Sequence, residues 1–331
     1  MEQLVRNVRI VGTGSYVPTQ VYTNKYLETL CPTNDEWIQS NLGIKERHIA
    51  LPNECVSDMA VRAGLCAVED AGLNVQDIDL IIVATATPDR KAPATATIVQ
   101  YKMHADNAAA FDISAVCSGF LFAMSIGSQY IASHVYRHVL VIGADKFSSI
   151  IDWTRRDCVF FGDGAGAVVL SASKVGEGFL ASRIYTDTRQ NHFGFTVPAG
   201  GSEIPITKDV LDSGLQYFQM DGKAVFQSAV EVLPKAIRQV LEDANMKIEE
   251  IDMLIPHQPS IKILIKTAEI LGIPFDKVMH NMEKYANTSS GTIPILLDEV
   301  NKQGKIKVGD NILFAAVGSG WTYGAAILKW S

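Results

Sequence analysis

Residues 67–83 read AVEDAGLNVQDIDLIIV, and residues 240–256 read VLEDANMKIEEIDMLIP. The two stretches align without a gap at an offset of 173 residues, from 67 to 240. Glu69, Asp70, Ala71, Ile78 and Asp79 recur as Glu242, Asp243, Ala244, Ile251 and Asp252. Each copy ends an amphipathic helix, passes an acidic turn and enters an apolar run suited to a strand buried on both faces. The same offset carries His138-Val-Leu-Val-Ile onto Asn311-Ile-Leu-Phe-Ala. Cys117-Ser-Gly falls on Ser289-Ser-Gly at an offset one residue shorter. Matches in the same order along the chain indicate a duplication, with a period too long for a solenoid. The chain therefore reads as two similar α/β halves, 1–175 and 176–331.

Helical patterns alternate with short apolar runs in both halves, which sets the class as α/β. The spacing predicts strands at Val8–Val11, Leu80–Thr85, Ala109–Asp112, Val139–Gly143 and Ala167–Leu170, then at Leu254–Pro256 and Ile312–Val317. Phe193–Leu215, rich in Gly and Pro, reads as an irregular insertion.

Composition bounds the function. The 331 residues are 47% hydrophobic and 20% charged, enough for a large soluble core. A net charge of -7 gives no general attraction to nucleic acid or to an anionic membrane. The N-terminal residues lack a signal-peptide pattern, and no apolar run reaches the roughly 18 residues of a spanning helix. A cytoplasmic protein is expected. Cys31, Cys55, Cys66, Cys117 and Cys158 are odd in number and widely spaced, which fits neither a disulfide framework nor a zinc site. The seven histidines have no metal-ligand spacing either.

Three polar residues stand out. Cys117 lies in FDISAVCSGFLFAMSIGSQYIA, where a strand end leads into a helical pattern. Most cytosolic cysteines are inert fillers. A thiol at a helix N-terminus, however, meets free N–H groups and a positive partial charge, which favour thiolate. His257 follows an apolar strand in MLIPHQPSIKI, where loops of α/β proteins carry function. Asn287 lies in KYANTSSGTIP, by composition a turn. The duplication sets that turn opposite the Cys117 loop, so a pseudo-two-fold would bring the two together. The glycine-rich stretches FGDGAGA (161–167) and VGSGWTYGAAIL (317–328) match no nucleotide fingerprint. Close backbone approach or an oxyanion site is the better use of Gly318 and Gly320.

The ordered set TNDEWIQSNLGIKERHIA, AVCSGF, FGDGAGA, MDGKAVF, HQPSIKI, KYANTS and GSGWTYGA resembles the β-ketoacyl-acyl carrier protein synthase III family of the thiolase superfamily. The resemblance covers essentially the whole chain. It implies a five-layered αβαβα thiolase-like fold and a homodimer. It implies Cys117 as nucleophile toward an acyl-CoA, with His257 and Asn287 driving decarboxylative condensation of a malonyl thioester, and no cofactor or metal. By the same match, the N–H groups of Cys117 and Ser319 form an oxyanion hole. Trp37, Arg155 and Gly222 meet coenzyme A, and Gln258, Ser260 and Lys262 meet the acyl carrier protein. Some positions depart from the pattern. Asn41 and Leu42 replace an arginine and a threonine near coenzyme A, and Ser319 replaces a glycine. Ala92 stands where acetyl-primed members carry a phenylalanine that reaches across the dimer into the acyl pocket. A smaller residue there implies a longer or bulkier primer.

Rival readings are fewer. A degradative thiolase wants a second catalytic cysteine late in the chain, and none follows Cys158. A hydroxymethylglutaryl-CoA-synthase-like enzyme wants a catalytic glutamate. A plant-type polyketide synthase keeps the Cys-His-Asn set within poorer surrounding matches. A specialised synthase of secondary metabolism, an acyltransferase without condensation and a non-catalytic partner remain as alternatives.

Overall fold

The computed structural model describes residues 7–189 and 192–331. Nine strands form two sheets. The first contains β1 (Asn7–Tyr16), β2 (Leu80–Ala84), β3 (Ala109–Ile113), β4 (His138–Lys146) and β5 (Asp163–Ser173), in the spatial order β1-β5-β4-β2-β3. The second contains β6 (Gly178–Thr186), β7 (Met253–Pro256), β8 (Asn311–Gly318) and β9 (Thr322–Lys329), in the order β7-β8-β9-β6. β2 runs parallel to β3 and β4, and β7 runs parallel to β8; the other pairs are antiparallel.

Helices cover both sheets on both faces. α2 (Val56–Asp70) and α3 (Thr95–Met103) pack outside the first sheet, and α5 (Gly222–Asp243) and α6 (Ile261–Leu271) form the outer layer beyond the second. α4 (Gly119–Ala132) and α7 (Thr292–Lys302) lie between the sheets. The short α1 (Asp35–Leu42) flanks α6. These are the five αβαβα layers expected. Burial on two faces explains the unbroken apolar strands. Ile81 and Val83 face the outer helices, while Leu80, Ile82 and Ala84 face the central pair.

The seven strands read from the sequence are all present. β6 and β9 went unread. β9 lies in the closing glycine-rich segment, where small residues at Gly324–Ala326 hide the strand pattern. Gly324 admits the Arg183 carbonyl to 2.5 Å from where a Cβ would stand, so the composition serves close packing. The Phe193–Leu215 insertion is mostly irregular, with a two-residue strand at Phe195–Thr196 and a helical turn at Lys208–Ser213.

The duplication holds in three dimensions, with one correction. The 3₁₀ turn Val75–Asp77 recurs as Ile248–Glu250, β2 begins at Leu80 and β7 at Met253, and β4 and β8 begin at His138 and Asn311, all 173 residues apart. The turn Val116–Ser118 before α4 recurs as Ser289–Gly291 before α7, also 173 apart. Cys117 is therefore equivalent to Ser290 and Val116 to Ser289, not Cys117 to Ser289. Backbone geometry decides it: Val116 and Ser289 share a left-handed φ, +47° and +53°. The shared letters Ser-Gly had suggested the shorter offset. Gly143 within β4 allows the second turn to approach. A Cβ there would stand 2.2 Å from the Ser290 carbonyl oxygen.

Candidate active site

The two turns meet at the inner end of a cavity of about 860 Å³. Cys117, His257, Asn287 and Ser319 all line it. Each is delivered by a strand end or by a turn opening a central helix. β7 ends at Pro256, so His257 is the first residue beyond it, and its N–H donates to the Ala315 carbonyl on β8 at 2.8 Å. Cys117 sits in the turn that opens α4. The left-handed Val116 before it is a β-branched residue in a region such residues avoid, so packing on both sides fixes this turn. Gly318 ends β8 within 2.7 Å of the Ala115 carbonyl, measured from its would-be Cβ. Close approach to the Cys117 loop is thus the use of this glycine.

Hydrogen bonds orient the polar groups. Asn287 Oδ1 accepts from the Ser289 N–H at 2.8 Å, which leaves the Asn287 Nδ2 donors for the cavity. His257 Nδ1 lies 2.8 Å from Thr292 Oγ1, and the Thr292 hydroxyl donates to the Ser289 carbonyl at 2.9 Å. A hydroxyl has one proton. With it spent on the carbonyl, Oγ1 accepts from Nδ1–H, and Nε2 carries the free lone pair. Burial pushes the His257 pKa down to about 3, so the ring is neutral. The Asp145 carboxylate, fully buried, braces the walls. It accepts from Thr85, Thr87 and the Ala86 N–H on one side and from the Ser290 N–H and hydroxyl on the other.

The thiol departs from expectation. Cys117 keeps part of its surface open to the cavity, while protein closes around it elsewhere. Burial pushes its pKa up to about 12, and the Asp145 carboxylate adds to the rise, while the Ser289 and Asn287 side chains act in the opposite direction. Desolvation thus outweighs the helix terminus, and the free site holds a neutral thiol beside a neutral imidazole.

The outer cavity is lined by Trp37, Arg155, Arg156, Gly222, Ser260 and Lys262. Asn34 caps α1 by accepting the Trp37 N–H at 2.8 Å, which fixes where Trp37 stands. The guanidinium over the Trp37 ring is that of Arg156, 3.8 Å from the centroid, a residue the sequence reading missed. Its signal was the adjacent pair Arg155-Arg156. Arg155 turns instead to Asp157 at 2.5 Å. No atom lies within 4 Å of a Cβ built on Gly222. Lys262 is exposed and holds Asn41 Oδ1 at 2.7 Å. Gln258 is corrected. It is 1% exposed, with Nε2 on the Pro256 carbonyl and Oε1 receiving the Asn281 N–H, so it has no surface for a partner. Ser260 faces the cavity and not the outer surface. Ala92 is exposed and lies off the cavity wall. Part of the cavity wall is aromatic: Phe161 and Phe195 line it, backed by Phe147 and Phe218.

Residues 111–188 match the family model of 3-oxoacyl-[acyl-carrier-protein] synthase III, and residues 241–330 match the model of its C-terminal part. The chain is 46% identical to a β-ketoacyl-[acyl-carrier-protein] synthase III of Caldanaerobacter subterraneus, over 97% of each chain. The chain belongs to the β-ketoacyl-acyl carrier protein synthase III family. This synthase superposes on the 3-oxoacyl-[acyl-carrier-protein] synthase III of Aquifex aeolicus with a TM-score of 0.90 at 42% identity, covering 98% of this chain and 100% of that one. It also superposes on the priming β-ketosynthase of the R1128 polyketide pathway with a TM-score of 0.90 at 32% identity, covering 98% and 97%. The synthase is accordingly an acyltransferase of the condensing kind with the thiolase-like fold. Among its described residues no helix is long and apolar enough to cross a membrane.

Proposed function

We propose that this synthase initiates fatty-acid synthesis by moving an acyl group from coenzyme A to Cys117 and condensing it with malonyl-acyl carrier protein. The observation that carries the reading is the meeting of Cys117, His257 and Asn287 at the end of one cavity. The neutral His257 Nε2 accepts the thiol proton as the sulfur attacks the thioester carbonyl, and the N–H groups of Cys117 and Ser319 receive the oxyanion. Coenzyme A leaves as thiolate. The protonated Nε2 and Asn287 Nδ2 then donate to the malonyl carbonyl oxygen. Carbon dioxide departs, and the enolate forms between the two donors. Its carbon attacks the acyl-cysteine, the carbon–sulfur bond breaks, and the Cys117 thiolate regains its proton from His257. No step calls for a metal or redox cofactor.

Trp37 and Arg156 bind the adenine end of coenzyme A, with Arg155 near the mouth and open space at Gly222 for the pantetheine arm. Lys262 and the two arginines give a net-negative protein a local basic rim for an acidic carrier protein. The free edge of β3 suits pairing with a second copy in a homodimer. Ala92, off this chain's own cavity wall, belongs to the partner's acyl pocket in that assembly. The two halves, 1–175 and 176–331, then contribute nucleophile and condensation donors respectively, in a cytoplasmic enzyme. Intact mass after incubation with acyl-CoAs from acetyl to long-chain and aromatic tests the reading. The expected result is an acyl adduct on Cys117, absent in Cys117→Ala, that malonyl-acyl carrier protein discharges with release of carbon dioxide. No adduct with any donor overturns it.

A further inference from the structure

The Ser289 backbone orders two of the polar groups of the site. Its N–H holds Asn287 Oδ1, and its carbonyl receives the Thr292 hydroxyl that faces His257 Nδ1. Both are backbone duties, which any residue performs. The side chain is the unexplained part. Ser289 is fully buried, and its Oγ finds no hydrogen-bond partner. An orphaned buried hydroxyl costs stability, and such a cost is retained where the group has another use. The fold does not ask for the hydroxyl. In the other half the equivalent position is Val116, with the same left-handed φ and no polar side chain.

The turn bearing Ser289 packs directly against the turn bearing Cys117. The Ser289 hydroxyl is among the groups that favour thiolate there, against the burial and the Asp145 charge that oppose it. We propose that Ser289 Oγ–H is the donor that stabilises the Cys117 thiolate. Its partner is missing in the free site because that partner is the sulfur anion, which exists only once the thiol proton has moved to His257. A neutral thiol is a weak acceptor and leaves the hydroxyl idle, whereas the anion makes a charge-assisted bond. The donor thus acts where charge develops and contributes little to the ground state. Ser289 keeps its own proton throughout. The inference rests on Cys117 being the nucleophile.

The test is the rate of Cys117 alkylation by iodoacetamide, followed by intact mass from pH 6 to 10, in wild type, Ser289→Ala and Ser289→Gly. Glycine tolerates the left-handed backbone and guards against misfolding of the alanine variant. The expected result is at least a tenfold fall in rate at pH 8 in both variants, with the pH–rate curve displaced upward. Thermal midpoints should be unchanged or raised, because an unpaired buried hydroxyl has been removed. Wild-type rates in the variants overturn the inference, and so does a rate loss that tracks a lowered midpoint. A wild-type Cys117 that neither alkylates nor accepts an acyl group overturns the underlying nucleophile assignment instead. His257 and Asp145, the titratable groups around the thiol, are unaltered in all three proteins.

Discussion

His257 Nδ1 and Thr292 Oγ1 are 2.8 Å apart, both residues being almost wholly buried. The contact joins the strand end of β7 to the first turn of α7, and it sets which ring nitrogen faces the substrate. Thr292→Val keeps shape but deletes the acceptor. The expected outcome is a fall in kcat for condensation of about 10- to 100-fold, part of the roughly 10²–10⁴ a positioned acid–base group supplies. Thr292→Ser should restore most of it. Steady-state kinetics check this, and nitrogen chemical shifts of His257 report the tautomer directly.

The same ring predicts a pH dependence of stability. Burial holds His257 at a pKa of about 3, against an ordinary 6.5 when unfolded. Between those values the unfolded chain binds the proton and the folded one does not. Stability is therefore lost as pH falls from 6.5 toward 3, by up to roughly 1.4 kcal/mol per pH unit. Asp163, pushed up to about 6 by burial, contributes the opposite slope below that pH. That slope is common to wild type and His257→Asn, so their difference isolates the histidine. Urea denaturation of both proteins at pH 7 and pH 5 should show wild type losing more stability on acidification.

Arg156 over Trp37 predicts a binding effect without a chemical one. Arg156→Ala removes a cation–π contact of about 0.5–2 kcal/mol and one face of the proposed adenine site. KM for the acyl-CoA should rise about three- to tenfold while kcat stays near wild type, the pattern of lost uniform binding. Arg155→Ala should have the smaller effect, since its guanidinium already holds Asp157.

The aromatic wall predicts primer choice. Phe195 stacks on Phe218 with centroids 5.3 Å apart and lines the cavity with Phe161. Phe195→Ala should open volume at the acyl end and move the preferred primer to a longer chain, at a stability cost of about 1–3 kcal/mol. Relative acylation rates across an acyl-CoA series check the shift, and thermal unfolding checks the cost.

The sequence by itself determined the α/β class, the duplication and the Cys117, His257 and Asn287 set. Hydrophobic period and strand-end position are local properties, written into contiguous residues by which face is buried. Only the tertiary structure decided the rest. Identical letters matched Cys117 to Ser289, while the backbone matches it to Ser290, because φ is set by packing on both sides of the turn. Helix position alone favoured a thiolate at Cys117. The charge of Asp145 and the closure of protein around the sulfur, both from distant segments, favour the thiol. Gln258 belonged by motif to the surface, yet the Asn281 N–H from another loop draws it inward. Arg155 and Arg156 are indistinguishable as adjacent letters, and the nearby Asp157 and Trp37 sort them. Apart from Asp157, two residues from Arg155, the deciding groups come from elsewhere in the fold, where desolvation and hydrogen bonding act through space and leave no trace in the local sequence.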